Sequence, residues 1–159
     1  MSLLPLFEWM ETIALSVAFR DSVWLYPVDQ AIHLVALTVF AGAILIVDLR
    51  LMGGLLKRQP VKQVATDAQP WMMGAFMVLL VTGIPQMTQT AMKQYYSPYF
   101  WWKMELLAVA IVFTLTVKRR VTQADEGRVG PFWPKIVGFV SLALWLGVTV
   151  SARLIGLLA

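Results

Sequence analysis

The chain has 159 residues, of which 59% are hydrophobic and 14% charged, with a formal net charge of +4; ordinary soluble domains carry roughly 25% charged residues. That composition excludes a water-soluble globule, and the lack of cysteine excludes disulfides, iron–sulfur clusters, thiolate zinc sites, Cys-x-x-Cys-His haem attachment and thiol nucleophiles. With His33 the only histidine, neither a His-Glu-x-x-His metalloprotease helix nor bis-histidine haem ligation within one chain can be built.

Four apolar windows are each long enough to cross a hydrocarbon core of about 30 Å. The expected fold class is all-α: an integral membrane four-helix bundle over residues 22–159, preceded by an N-terminal interfacial amphipathic helix within residues 1–21. In the first segment, Leu3 to Phe19, the residues Glu8, Glu11, Thr12 and Ser16 fall within one arc of a helix. Pro5 suits a first helical turn. At about 14 residues the segment is too short to span, and its acidic stripe predicts a helix lying in the headgroup plane. No basic residue precedes the apolar stretch, which argues against a cleavable signal peptide.

Helix 1 is expected from about Pro27 to Met52, helix 2 from Pro70 to about Met92, helix 3 from about Tyr99 to Val117, and helix 4 from about Pro134 to the C-terminus. Pro85 removes a backbone donor inside helix 2 and predicts a kink in the half that carries Gln86 and Gln89. The stretches 57–69 and 118–130 read as polar connections. Arg50, Lys57, Arg58 and Lys62 gather between helices 1 and 2, and Lys118, Arg119, Arg120, Arg128 and Lys135 between helices 3 and 4. The positive-inside rule then puts both loops in the cytoplasm and both termini on the periplasmic side of a bacterial inner membrane. Topology thus accounts for the net charge, and nucleic-acid binding is not needed to explain it; the basic loops suit anionic lipid.

Projected onto the bilayer, the polar residues of the spans gather toward the outer leaflet: His33 in helix 1, Gln86 beside Met87 in helix 2, Lys103 and Glu105 in helix 3, and Arg153 in helix 4. Ionisable groups at such depth face the bundle interior, pair with one another or hold a ligand. A neutral imidazole is a standard axial ligand for haem iron, so His33 is the metal-binding candidate for a b-type haem, with Lys103 and Arg153 as cations for the propionates. The bland alternative is that His33 bonds a carbonyl, Gln86 or Glu105 and only fixes helix packing. Met87, level with His33, is the sixth-ligand candidate among nine methionines that otherwise read as core filler. Arg153 is followed by six uncharged residues and therefore calls for a specific partner, either Glu105 or a propionate. Asp48 and Arg50, two apart, do not face one another and read as contacts to other helices. Trp24, Trp71, Trp101, Trp102 and Trp133 fall where interfacial anchors are expected. No P-loop, dinucleotide fingerprint or nucleophile elbow is present.

The stretch His33-Leu-Val-Ala-Leu-Thr-Val-Phe-Ala-Gly, then Asp48-Leu-Arg-Leu-Met-Gly, Pro85-Gln86, Phe100-Trp-Trp-Lys103 and the late Arg153 together resemble a widespread bacterial membrane family of uncharacterised function, from about Ser22 onward. More distantly they are similar to the HemJ-type protoporphyrinogen oxidases and to the membrane domain of CopD-type copper proteins. The HemJ resemblance implies haem b beside an early-helix histidine and a later lysine, which match His33 and Lys103. The expected function is electron transfer or haem-linked redox chemistry with a quinone, porphyrin or respiratory-chain partner, in a chain able to act as a homo-oligomer. A cofactor-free accessory subunit, or a carrier lined by the Pro85 half of helix 2, is the alternative.

Overall fold

The structure is a computed structural model that describes residues 3–125 and 127–158. The described residues are helical apart from short connections: α1 (Leu4–Thr12), α2 (Ala14–Asp21), α3 (Leu25–Leu51), α4 (Val61–Gln89), α5 (Ala91–Tyr96), α6 (Pro98–Phe113), α7 (Arg119–Gln123) and α8 (Trp133–Leu158). A five-residue π-helical turn, Thr114–Lys118, joins α6 to α7, so the rod is continuous from Pro98 to Gln123. That rod and the helices α3, α4 and α8 are the four elements long and apolar enough to cross a membrane.

The spans alternate in direction. One end of the bundle carries the connections 52–60 and 124–132 with their basic flanks, and is called the basic end below; the start of α3 and the end of α8 lie at the other, terminal end. The extreme residues expected there, 1–2 and 159, lie outside the described residues.

Helix α3 is the hub, because it packs on α4 along one side and on α8 along the other, while α6 packs on α8. At mid-span Phe40, Ile44 and Ala75 form the core with Phe76 and Trp145 around them; the Phe40 and Trp145 rings meet edge to face at 4.8 Å. Trp145 satisfies its indole by donating to Thr114 Oγ1 at 3.3 Å, as a buried tryptophan requires. At the basic end Val47, Leu51, Val64 and Val137 close a second cluster. The outward faces of the four spans are largely apolar, with Glu105 and Arg153 as charged exceptions within the apolar stretches.

Three boundaries differ from the sequence expectation. Helix α4 starts nine residues earlier, at Val61 rather than Pro70, and runs through both Pro70 and Pro85; its polar first turns project beyond the apolar part of the span. The third span runs on past Val117 to Gln123, and Lys118 belongs to the helix rather than to a loop. The N-terminal segment is two helices, broken at Ile13, whose ψ of 149° is extended.

The break at Ile13 is closed by Ser16, which is fully buried and donates to the Met10 carbonyl at 2.6 Å. Ser16 therefore faces inward rather than joining an outward acidic stripe. Glu11 also turns in: its Oε1 accepts the Met92 backbone N–H at 2.8 Å, satisfying one of the orphan donors at the start of α5. Phe7 drops into a cluster with Ala91 and Phe100, and Arg20 donates to the Gln89 carbonyl at 3.2 Å. The two N-terminal helices thus cap the terminal end where α4, α5 and α6 meet.

Candidate functional site

His33 stands on α3 against α4. Its Nδ1 lies 2.7 Å from Thr82 Oγ1, and Thr82 Oγ1 in turn lies 2.8 Å from the Val78 carbonyl, four residues back along the same helix. A hydroxyl has one proton, and a carbonyl can only accept. Thr82 therefore donates to Val78, and the hydrogen bond to His33 runs from Nδ1–H to Oγ1. The imidazole is held as the Nδ1–H tautomer, which leaves the Nε2 lone pair unused. Gly83 clears the ring, since even a Cβ placed there would stand at an ordinary 3.7 Å from Cε1.

One turn toward the terminal end, Gln86 Nε2 donates to Asp29 Oδ2 at 2.7 Å. The two bonds pin α3 to α4 above and at the histidine. The charges that act on the ring from other residues are those of Lys103 and Asp29. Lys103, half-buried on α6, makes no hydrogen bond or ion pair among the described residues. Gln89 Nε2, seven residues beyond Thr82 on the same stripe of α4, is buried without a partner among the described residues.

The remaining candidates do not converge here. Met87 packs around Phe7, Ala91 and Phe100 beneath the N-terminal cap. Arg153 and Glu105 are both exposed, and the structure makes no ion pair between them. Rotation about the helix axis takes Met87 into the Phe7 cluster and leaves Arg153 and Glu105 exposed.

A second polar site was not anticipated, and it lies at the basic end. Asp48, with no exposed surface, receives Lys118 Nζ at 2.7 Å, and the same ammonium donates to Ser141 Oγ at 3.1 Å. Three spans, α3, the third rod and α8, are tied together by one buried cation. Thr114 and Lys118, four residues apart and so on one face of the rod, bound the π turn and both meet α8, at Trp145 and Ser141. Gly138, also buried, lets the α8 backbone lie directly on α3 beside Asp48. The sequence signal was there in Asp48 and Lys118 standing at the same end of neighbouring spans, but Lys118 was read with the loop.

Two grooves border the basic half. One of about 400 Å³ runs between α3 and α4, past Thr38, Gly42, Gln59, Asp67 and Trp71. A smaller one, about 110 Å³, lies by Gln69, Met72, Thr114, Lys118 and Thr122. Neither is lined by His33, so the histidine and these grooves are separate features. Among the described residues no group of three or more His, Cys, Asp or Glu side chains could hold a metal ion.

No curated protein and no solved structure matches the chain, so the likeness to HemJ-type and CopD-type proteins has no support from these comparisons. One family model does match, over residues 6–158, which takes in the N-terminal cap as well as all four spans. By that match the chain belongs to the family of unknown function DUF6644.

Proposed function

We propose that this membrane protein binds b-type haem through His33, in the half of the bilayer at its terminal end, and that it serves electron transfer. The observation that carries this reading is the relay from His33 Nδ1 through Thr82 to the Val78 carbonyl. Metal-ligating histidines characteristically donate their second nitrogen to an oxygen, which fixes both tautomer and ring orientation. The donor chemistry around His33 fits the group: Nε2 for the iron, and Lys103 and the unpartnered Gln89 amide as donors for propionates. Arg153, exposed on α8, is not in this set. When bound, the haem supplies a one-electron couple; the chain's own contribution is to orient the ligand and to exclude water with the capped terminal end. The positive-inside rule places that end at the outer leaflet, and a quinone or another respiratory component is the class of partner suited to such a site.

The rival reading takes the same two bonds, His33 to Thr82 and Gln86 to Asp29, as packing devices in an accessory subunit without a cofactor. Protein purified after haem is supplied during expression separates the two. Wild type should show a Soret band and, on dithionite reduction, α and β bands. His33→Ala should lose them while inserting normally. Thr82→Val should keep the ligand but free its orientation, lowering haem affinity by about 10- to 100-fold, the usual cost of losing such a partner. A wild type free of haem under these conditions sinks the haem reading and leaves the packing role.

A further inference from the structure

We infer that two copies of this chain associate through the outward face of α6 and α8, with Glu105 of each copy paired to Arg153 of the other. The inference is independent of the haem reading. It starts from an anomaly of exposure. Within the apolar stretches 31–47, 71–92, 99–117 and 136–158, Glu105 and Arg153 are the two charged side chains that face outward among the described residues. Neither has a partner among those residues. A charge presented to hydrocarbon is costly and normally finds an opposite charge.

The register of the two helices shows that this demand is mutual. Helices α6 and α8 run antiparallel, and the bonds from Trp145 to Thr114 and from Lys118 to Ser141 fix which residues lie abreast. Counting from the Thr114–Trp145 pair, Glu105 lies nine residues back on α6 and Arg153 eight residues on along α8. At a rise of about 1.5 Å per residue the two stand within about one residue of the same depth.

Equal depth is what a membrane dimer requires. A two-fold axis along the bilayer normal leaves depth unchanged, so only residues at one level can meet across it, and an isologous interface must be self-complementary. One negative and one positive group at one level on neighbouring stripes meet that condition and give two reciprocal ion pairs. The stripes themselves, Glu105, Val109 and Val112 on α6 and Leu146, Val150 and Arg153 on α8, are spaced at helical intervals and exposed throughout. They offer a smooth apolar seam on the basic-end side of the paired charges. Within one copy the same two residues stay apart because each points outward from its own helix.

The lack of native cysteine gives a clean test. Two differently tagged copies, one Glu105→Cys and the other Arg153→Cys, are co-expressed and their membranes treated with a short bismaleimide, which spans the gap that the two long native side chains fill. This arrangement keeps one native ion pair while placing thiols at the other. The expected product is a cross-linked species carrying both tags, absent when Arg153→Cys is combined with Val35→Cys on the lipid face of α3. As a second measurement, subunit counting by single-molecule photobleaching in vesicles should give pairs for wild type, single copies for Glu105→Arg, and pairs again for Glu105→Arg/Arg153→Glu. Wild type counted as single copies overturns the inference, as does a cross-link that fails to form between copies.

Discussion

Lys118→Met should be among the most destabilising single substitutions in the chain, lowering stability by about 3–5 kcal/mol, and Asp48→Ala should match it. Each removes one partner of a pair in which Asp48 is fully buried and Lys118 is 4% exposed. What remains is an uncompensated charge with water excluded, and that penalty exceeds the worth of the pair itself. The double variant Asp48→Leu/Lys118→Met should recover most of the loss, because it removes both charges and leaves apolar groups of similar size. Ser141→Ala should cost less, about 1 kcal/mol, since Lys118 keeps its carboxylate. The midpoint of unfolding with increasing SDS in mixed micelles measures all four. Single variants as stable as wild type would show that the ion pair does not hold the basic end together.

Gly138→Ala should also destabilise, by about 1–3 kcal/mol, whereas Gly42→Ala should be neutral or stabilising. A Cβ at Gly138 would lie 2.9 Å from the Asp48 carbonyl oxygen, 3.0 Å from Met52 Cγ and 3.1 Å from Leu51 Cβ. The closest of these is backbone, so α8 must move away from α3, and Ser141 one turn along is drawn off Lys118. Close backbone approach at small residues is a main source of helix association in lipid. At Gly42 nothing lies within 4 Å of the added Cβ, and alanine is favoured over glycine in a helix interior by about 1 kcal/mol. The opposite signs at two helical glycines, read in the same SDS titration, separate packing from propensity.

The parts of this fold that rest on hydrophobicity were legible in the sequence. Four apolar runs gave four spans, and the exposed Trp24, Trp71, Trp102 and Trp133 fall where amphipathic rings belong at span ends. What the sequence hid was rotation and exact length. Lys118 looked like the first residue of a charged loop because Lys118, Arg119 and Arg120 follow the apolar run directly, yet the rod continues through them and the lysine turns inward to Asp48. Val61 to Gln69 looked like a connection because it is polar, yet a helix can project past the hydrocarbon and still be a helix. The N-terminal break at Ile13 occurs without Gly or Pro, and the Ser16 bond to the Met10 carbonyl closes it.

At the site the same distinction holds. His33 and Gln86 face the α3–α4 contact. Their partners Thr82 and Asp29 went unnoticed, although Thr82 stands four residues before Gln86 and so shares its face. Met87, one residue further on, is turned by about 100° into the Phe7 cluster. Arg153, on α8, is likewise exposed rather than turned toward His33.

The central claim is that His33 Nε2 is the iron ligand, and the single histidine makes it directly observable. Protein grown with ¹⁵N-histidine carries the label in one imidazole alone, so a pulsed EPR spectrum of the ferric form reads that ring without further assignment. The account predicts that the strong nitrogen coupling of an axial imidazole changes from the ¹⁴N to the ¹⁵N pattern on labelling. A ferric haem signal whose couplings are identical with and without the label would contradict it, because the iron would then be held by some other group.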